Sequence, residues 1–189
     1  MELRSSLLLV VDVQNGFVTS DTAHAVPIIT SLTDRWLCLG GHLTFTRYHN
    51  YPGSAFERLM DWRELYGSPD TDLVEELVPY VRTAQVIDKG TYSALTRELL
   101  QTIHRSRVTD LVVCGIDSDL CVLATVFEAF DYGLTPWIVT DASASTGGAQ
   151  AHDAGLFVIA RGVGDQQLID SDTLLAMAAP TSEPIERVP

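Results

Sequence analysis

The stretch Leu111-Val112-Val113-Cys114-Gly115-Ile116-Asp117-Ser118-Asp119-Leu120-Cys121 predicts a buried strand, a short polar turn and the first turn of a helix. The apolar run stops at Gly115, and Cys121 stands where the helix pattern begins. The first N–H groups of a helix lack acceptors within it, and the helix dipole is positive at that end. We therefore expect a thiol that ionises easily and a good place for an oxyanion, which makes Cys121 a candidate nucleophile.

The length and composition of the chain indicate a single globular domain. The sequence has 189 residues, of which 46% are hydrophobic and 20% are charged. A chain of this length buries roughly 70% of its unfolded surface, so it needs neither disulfides nor a metal to fold. We expect one domain over residues 1–178 and a flexible tail over residues 179–189, which are rich in proline and charge.

The charge and the cysteine count restrict the partners and the compartment. The formal net charge is −13, which argues against nucleic acid or an anionic membrane as a partner. Three cysteines do not make a disulfide framework and favour a reducing, cytoplasmic setting. The apolar run at 7–11 is too short for a secretory signal, and no apolar stretch approaches the ~20 residues of a membrane span. We expect a cytoplasmic protein that acts on a small molecule.

Apolar runs alternate with helical patterns along the chain. This alternation predicts a three-layer α/β/α, Rossmann-like domain around a mostly parallel sheet of about six strands. The aromatic-rich segment 47–66 is expected to cover the substrate. The predicted strands are 7–11, 42–46, 85–87, 110–114, 135–140 and 167–170, and the predicted helices are 26–39, 56–65, 73–80, 93–106 (capped by Ser93 or Thr96), 121–133, 148–161 and 172–177.

Three reactive side chains follow predicted strands. Asp12 follows the first strand, Lys89 the third and Cys121 the fourth, which places all three on one rim of the sheet. A thiolate can attack a carbonyl carbon while a carboxylate accepts the thiol proton and passes it to the leaving amine. An ammonium beside them would favour the ionised partners, and the N–H groups of Cys121 and of the turn before it could bind the oxyanion.

Three short motifs contain these residues: Val11-Asp12-Val13-Gln14-Asn15-Gly16-Phe17, Lys89-Gly90-Thr91-Tyr92-Ser93-Ala94 and Gly115-Ile116-Asp117-Ser118-Asp119-Leu120-Cys121-Val122-Leu123-Ala124-Thr125. Together they resemble the isochorismatase-like cysteine hydrolases, a superfamily that includes nicotinamidases, N-carbamoylsarcosine amidases and ureidoacrylate amidohydrolases. The resemblance covers about residues 6–178 and implies a triad of Cys121, Asp12 and Lys89. It also implies a cis peptide at Ile116–Asp117, oxyanion donors in the N–H groups of Asp117 and Cys121, and a homo-oligomer, either a dimer or a tetramer.

The sequence departs from the nicotinamidase pattern at the metal site. Nicotinamidases carry an Asp-x-His motif just after the second strand, where this chain reads Arg47-Tyr48-His49. A zinc site with a single histidine would have too few ligands. We therefore predict no metal and no cofactor, and the metal-free branches of the superfamily are favoured over nicotinamidase.

Five side chains are candidates for substrate binding. Phe17 and Tyr92 are neighbours in sequence of Asp12 and Lys89, and Tyr48 and Trp62 belong to the aromatic segment. Arg47 could bind a substrate carboxylate, although a surface ion pair is an equal alternative.

The predicted reaction is cleavage of a C–N amide or ureido-type bond through a Cys121 acyl-enzyme. One alternative is an isochorismatase-type vinyl-ether hydrolase that uses Asp12 without a covalent step. Another is a catalytically idle binding module that keeps the fold. Substitution of Cys121 and of Asp12 distinguishes the acyl-enzyme reaction from the vinyl-ether hydrolase, because only the acyl-enzyme route needs the thiol.

Overall fold

The computed structural model describes residues 1–179, and most of the predicted tail lies outside these described residues. Six parallel strands form one sheet in the order β3-β2-β1-β4-β5-β6. The elements are β1 Ser6–Val11, α1 Ala25–Cys38, β2 His42–Tyr48, α2 Ala55–Met60, β3 Gln85–Lys89, α3 Arg97–Ser106, β4 Asp110–Ile116, α4 Leu123–Asp131, β5 Thr135–Ala144, α5 Ala149–Val163, β6 Leu168–Ile169 and α6 Ser171–Ala178, with 3₁₀ turns at Leu3–Ser5, Asn15–Phe17, Glu75–Tyr80 and Asp165–Gln167.

The central strand β1 shows why the sheet is covered on both faces. All six of its residues are buried. Leu8 and Val10 pack into one apolar core, and Leu7, Leu9 and Val11 pack into the other. A continuous apolar run is typical of a parallel strand with helices on both sides. The predicted three-layer α/β/α fold is confirmed.

The helices divide between the two faces. One core contains Trp36 of α1 and Leu174 of α6, and the other contains Leu99 of α3, Val126 of α4 and Ile159 of α5. The chain adds β2 and β3 on one side of β1, then β4, β5 and β6 on the other. The strand order therefore reverses between β1 and β4. The crevice outside the carboxyl ends of these two strands is where such sheets bind ligands.

Several element boundaries differ from the prediction. The helix predicted over 56–65 ends at Met60, because Asp61 adopts a left-handed conformation with φ of 52°. Strand β3 extends to Lys89 because it stays in register with β2 up to the pair Tyr48 and Lys89. The predicted 73–80 helix is a 3₁₀ turn, and α3 is capped by Thr96, whose side chain accepts from the Leu99 N–H.

The segment before α4 is also unlike the predicted regular helix. Residues Ser118–Val122 form a π-helical turn, and α4 proper begins at Leu123. Single π turns inside helices occur frequently at functional sites. Within residues 1–179, none of the helices combines the length and apolar character that crossing a bilayer requires.

Gly115 permits the close approach of β4 to β1. Its φ is +123°, and a Cβ added there would lie 2.1 Å from the Val11 carbonyl oxygen. We predict that Gly115→Ala lowers the free energy of unfolding by about 3 kcal/mol, since both the backbone angle and the contact are unfavourable. Urea unfolding measures this loss. Gly67→Ala is the control, because a Cβ at Gly67 meets nothing within 4 Å. An unchanged urea midpoint for Gly115→Ala would contradict the prediction.

Candidate active site

Asp12 is buried directly after β1. The residue has a left-handed backbone with φ of 52°, and its side chain is fully shielded from solvent. Thr46, on the neighbouring strand β2, donates its hydroxyl to Asp12 Oδ1 at 2.7 Å. Asp12 Oδ2 is left for other partners, and the side chains of Lys89 and Cys121 also approach the carboxylate. The carboxylate is therefore oriented by β2 and aimed at the other two candidates.

Lys89 reaches the same point from the edge strand β3. Its ammonium nitrogen lies 2.6 Å from Asp12 Oδ2, and neither side chain has any exposed surface. The ammonium also donates to the carbonyl oxygens of Thr91 and Tyr92, at 2.8 and 3.1 Å. A four-carbon side chain is long enough to span the end of β2. These contacts fix the position of the ammonium and leave it directed at the carboxylate and the thiol.

Cys121 lies in the π-helical turn beyond β4. Its Sγ is 3.7 Å from Lys89 Nζ, so the structure brings Asp12, Lys89 and Cys121 together. The Thr125 hydroxyl donates to the Cys121 carbonyl at 2.6 Å and accepts from the Ala94 N–H, which ties the turn to the loop after β3. Helix α5 packs directly on this turn, and a Cβ at Gly155 would lie 2.7 Å from Asp119 Cα.

The protonation of the thiol differs from the expectation of easy ionisation. Burial raises the pKa of Cys121 well above its ordinary value, and the charge of Asp12 raises it further, while Lys89 opposes the shift. In this site the loss of solvent outweighs the helix terminus. Burial lowers the pKa of the Lys89 ammonium, but the charge of the Asp12 carboxylate and the hydrogen bonds to Asp12 and Cys121 outweigh it, and the pKa is raised. The resting site therefore holds a neutral thiol beside a charged ammonium.

The turn between β4 and Cys121 is held by its own polar contacts. The peptide bond between Ile116 and Asp117 is cis. The Asp117 carboxylate accepts hydrogen bonds from the backbone N–H and the hydroxyl of Thr146, and its carbonyl accepts from the N–H groups of Leu120 and Val122. Burial raises the pKa of Asp117, and the two bonds from Thr146 oppose that effect. Asp117 thus joins the loop after β5 to the turn that carries the thiol.

A cavity of about 260 Å³ opens onto Cys121. Four of the five predicted substrate-binding residues, Phe17, Tyr48, Trp62 and Tyr92, line it, and the rings of the first three pack on one another. Trp62 stacks on Phe17 with centroids 6.2 Å apart, and Tyr48 lies 5.6 Å from Trp62. The lining is made by Gly16, Phe17, Thr19, Tyr48, Phe56, Met60, Trp62, Glu64, Tyr92, Asp117, Leu120, Cys121 and Thr146.

Arg47, the fifth predicted residue, does not reach this cavity. Adjacent side chains of a strand point to opposite faces, so Arg47 leaves β2 on the side away from the buried Tyr48. Its guanidinium binds the Asp88 carboxylate with distances of 2.8 and 3.1 Å. Arg47 therefore forms the surface ion pair that the sequence left as an alternative, and it does not line the cavity at Cys121.

The sequence prediction missed several lining residues. Phe56 and Met60 lie on α2, whose packing over the rings of Tyr48 and Tyr92 depends on the chain reversal at Asp61. Thr146 was missed because the predicted fifth strand ended four residues before the observed end at Ala144. Phe56 could have been found from its place in the aromatic segment, whereas Glu64 and Leu120 carry no comparable signal.

The residues beside β2 do not fit a metal ion. His49 Nε2 lies 3.3 Å from Asp88 Oδ1, but the same carboxylate is already bound by the Arg47 guanidinium. A guanidinium at the carboxylate would repel a cation placed there. In the described part of the chain, no three His, Cys, Asp or Glu side chains are grouped so that they could hold a metal.

The fold is a three-layer α/β/α domain, and its site brings a thiol, a carboxylate and an ammonium together. The sequence matches the isochorismatase domain over residues 6–169, and the chain belongs to that family. It is 31% identical over 176 residues to Nicotinamidase 3 of Arabidopsis thaliana, covering 88% of this chain and 85% of that protein. The resemblance inferred from the three motifs is confirmed.

Solved structures share the fold at lower sequence identity. A cysteine hydrolase from Pseudomonas syringae pv. phaseolicola 1448A superposes with a TM-score of 0.81 at 20% identity, covering 93% of both chains. An N-carbamoylsarcosine amidase from Thermoplasma acidophilum gives a TM-score of 0.76 at 21% identity, covering 91% of this chain and 98% of that one. At these identities the likeness concerns the fold.

We predict that the Cys121 thiol loses its proton at a higher pH than an ordinary thiol, whose pKa is ~8.5. The reason is its burial beside the Asp12 carboxylate. NMR of protein labelled with ¹³C at cysteine Cβ measures this, since the resonance shifts on ionisation. Cys121→Ser assigns the signal, and glutathione in the same tube is the reference thiol. A midpoint at or below that of glutathione would refute the prediction.

Proposed function

We propose that this protein hydrolyses a C–N amide or ureido-type bond of a small molecule through an acyl-enzyme on Cys121. The observation that carries the proposal is the contact of the thiol with the buried Lys89–Asp12 pair at the floor of an aromatic cavity. The relative named as a nicotinamidase and the neighbour named as an N-carbamoylsarcosine amidase support hydrolysis of an amide bond. We further propose a cytoplasmic homo-oligomer, as the sequence predicts.

The first half of the reaction moves one proton from sulfur to nitrogen. Because the thiol is neutral at rest, it must lose its proton as it attacks, and Asp12 Oδ2 is the acceptor. The Cys121 Sγ bonds to the amide carbonyl carbon and the carbonyl oxygen becomes an oxyanion. The C–N bond then breaks, and the amine leaves with the proton from Asp12. A thioester on Cys121 remains.

The second half repeats these steps with water. A water molecule attacks the thioester carbonyl while Asp12 Oδ2 takes its proton. The C–S bond breaks, the sulfur recovers that proton, and the carboxylic acid leaves the cavity. Each half-reaction returns Asp12 to its ionised form, so the carboxylate serves as base and then acid in both.

Lys89 acts on the two partners rather than on the substrate. Its ammonium is held by the carbonyls of Thr91 and Tyr92, so that it contacts both Asp12 and Cys121 without moving. A fixed positive charge stabilises the negative charge that develops on sulfur while the proton is in transit. The N–H groups of Asp117 and Cys121 are the proposed oxyanion donors, and both residues line the cavity.

The character of the cavity argues against the vinyl-ether alternative. Isochorismate carries two carboxylates, which need cationic partners in a desolvated site. In the described chain, the charged side chains that line the cavity are those of Glu64 and Asp117, and both are acidic. A binding module without catalysis is also disfavoured, since it would have no use for a buried ion pair against the cavity thiol. Small aromatic amides, nicotinamide among them, are the first substrates to test.

We predict that Cys121→Ala lowers kcat on a responsive amide by on the order of 10³-fold or more, because the covalent step is lost. Steady-state kinetics with benzamide, nicotinamide and related amides measure this. Cys38→Ala is the matched control, since Cys38 is exposed and lies outside the cavity.

Asp12→Asn separates the two hydrolase mechanisms. The acyl-enzyme route requires both Asp12 and Cys121, so both variants should lose activity. Activity that survives Cys121→Ala and disappears in Asp12→Asn would instead establish a non-covalent route.

A further inference from the structure

We infer that the cavity selects a substrate with a positive charge on or beside its ring, of the N-alkylpyridinium carboxamide class, and that Glu64 sets this preference. The inference rests on the proposed amide hydrolysis. It concerns the part of the substrate that lies away from the scissile bond. The observations behind it are the charge of the lining, the arrangement of its rings and the net charge of the protein.

The lining carries negative charge without compensating cations. Among the described residues, no lysine, arginine or histidine lines the cavity, whereas Glu64 and Asp117 do. Burial raises the pKa of Asp117, and the two hydrogen bonds that its carboxylate accepts from Thr146 oppose this shift. Arg63, next to Glu64 in sequence, lies against Glu57 at 3.4 Å and Asp61 at 3.0 Å. Glu64 is exposed, lines the cavity and is not paired with this arginine.

The ammonium of Lys89 does not reverse this field. It is buried behind the cavity and paired with Asp12 at 2.6 Å, so the two charges largely cancel at the substrate. The same ammonium lies 5.6 Å from the centroid of the Tyr48 ring. One face of this aromatic cluster thus already accommodates a cation.

Aromatic side chains that line the cavity form one contiguous cluster. Phe56 packs against Tyr48 and Tyr92 with centroids 5.1 and 4.9 Å apart and interplanar angles of 70° and 68°. Trp62 contacts Phe56 at 6.0 Å and stacks on Phe17 with an interplanar angle of 16°. Aromatic faces attract cations through the ring quadrupole, so an aromatic lining of this kind favours a cationic ligand.

The electrostatic field of the whole protein is negative, like the charge of the cavity lining. The formal net charge of −13 raises the local concentration of cations and lowers that of anions. An anionic substrate would meet a negatively charged protein and a cavity lining that contains two carboxylates and, among the described residues, no cationic side chain. A cationic amide meets an attractive field at each of these stages.

Charged thiol reagents test the preference without requiring catalysis. In a Cys38→Ser background, labelling of Cys121 is followed by mass spectrometry with trimethylammonium-ethyl and sulfonatoethyl methanethiosulfonate. Each rate is divided by the rate of that reagent with glutathione. We expect the cationic reagent to react at least about tenfold faster after this correction. Equal rates, or a faster anionic reagent, would overturn the inference.

Glu64→Gln tests the assigned residue, and Glu76→Gln is its matched control. Both remove one exposed carboxylate, but Glu76 does not line the cavity. We expect the cation-to-anion ratio to fall about threefold in Glu64→Gln and to stay unchanged in Glu76→Gln. An equal fall in both variants would show that the overall field acts alone and would remove Glu64 from the proposal.

Substrate kinetics separate this inference from the proposed function. We expect kcat/KM to decrease from 1-methylnicotinamide to benzamide to 3-carbamoylbenzoate, and Glu64→Gln to raise KM for 1-methylnicotinamide more than for benzamide. Hydrolysis of benzamide with no preference for the cation would overturn the charge inference and leave amide hydrolysis standing. A cation preference in Cys121 labelling without hydrolysis of any amide would overturn the function and leave the charge preference standing.

Discussion

The buried ion pair between Lys89 and Asp12 is the constraint on which the rest of the site depends. Two charges without exposed surface are stable only together, since removal of one partner typically costs about 3–5 kcal/mol. The pair joins the edge strand β3 to the central strand β1 across the end of β2. The strand order and register must therefore be correct before the pair can form. The fold and the chemistry are thus specified by the same contact.

The ion pair also determines the state of the nucleophile. Cys121 lies beside both charges, so a thiolate would add a second negative charge next to Asp12 in a site without solvent. In the proposed mechanism the thiol stays neutral and is activated only when a carbonyl carbon is in place. A buried, protonated cysteine of this kind reacts more slowly with oxidants and thiol reagents than an exposed thiolate does, because the thiolate is the reactive form. The aromatic cavity then determines which molecules come into contact with the thiol.

The architecture and the positions of Asp12, Lys89 and Cys121 at strand ends could be predicted from the sequence, because both depend on local patterns. The apolar run of β1 could only be buried on two faces, and Asp12 and Cys121 follow strands that lie side by side. The contacts between segments that are distant in sequence could not be predicted from the local hydrophobic pattern. The register of β3, the left-handed Asp61 and the extended β5 decide which side chains line the cavity. Thiol ionisation was mispredicted because a helix terminus is visible in a sequence and desolvation is not.

The most direct test of the account is capture of the acyl-enzyme. An active amide, mixed with the protein and quenched in acid within one turnover, should leave the mass of its acyl group on the peptide that contains Cys121. Hydroxylamine in the mixture should divert the product to the hydroxamate at the expense of the acid. Continued turnover with an unmodified Cys121 peptide and no hydroxamate would contradict the covalent role of the thiol.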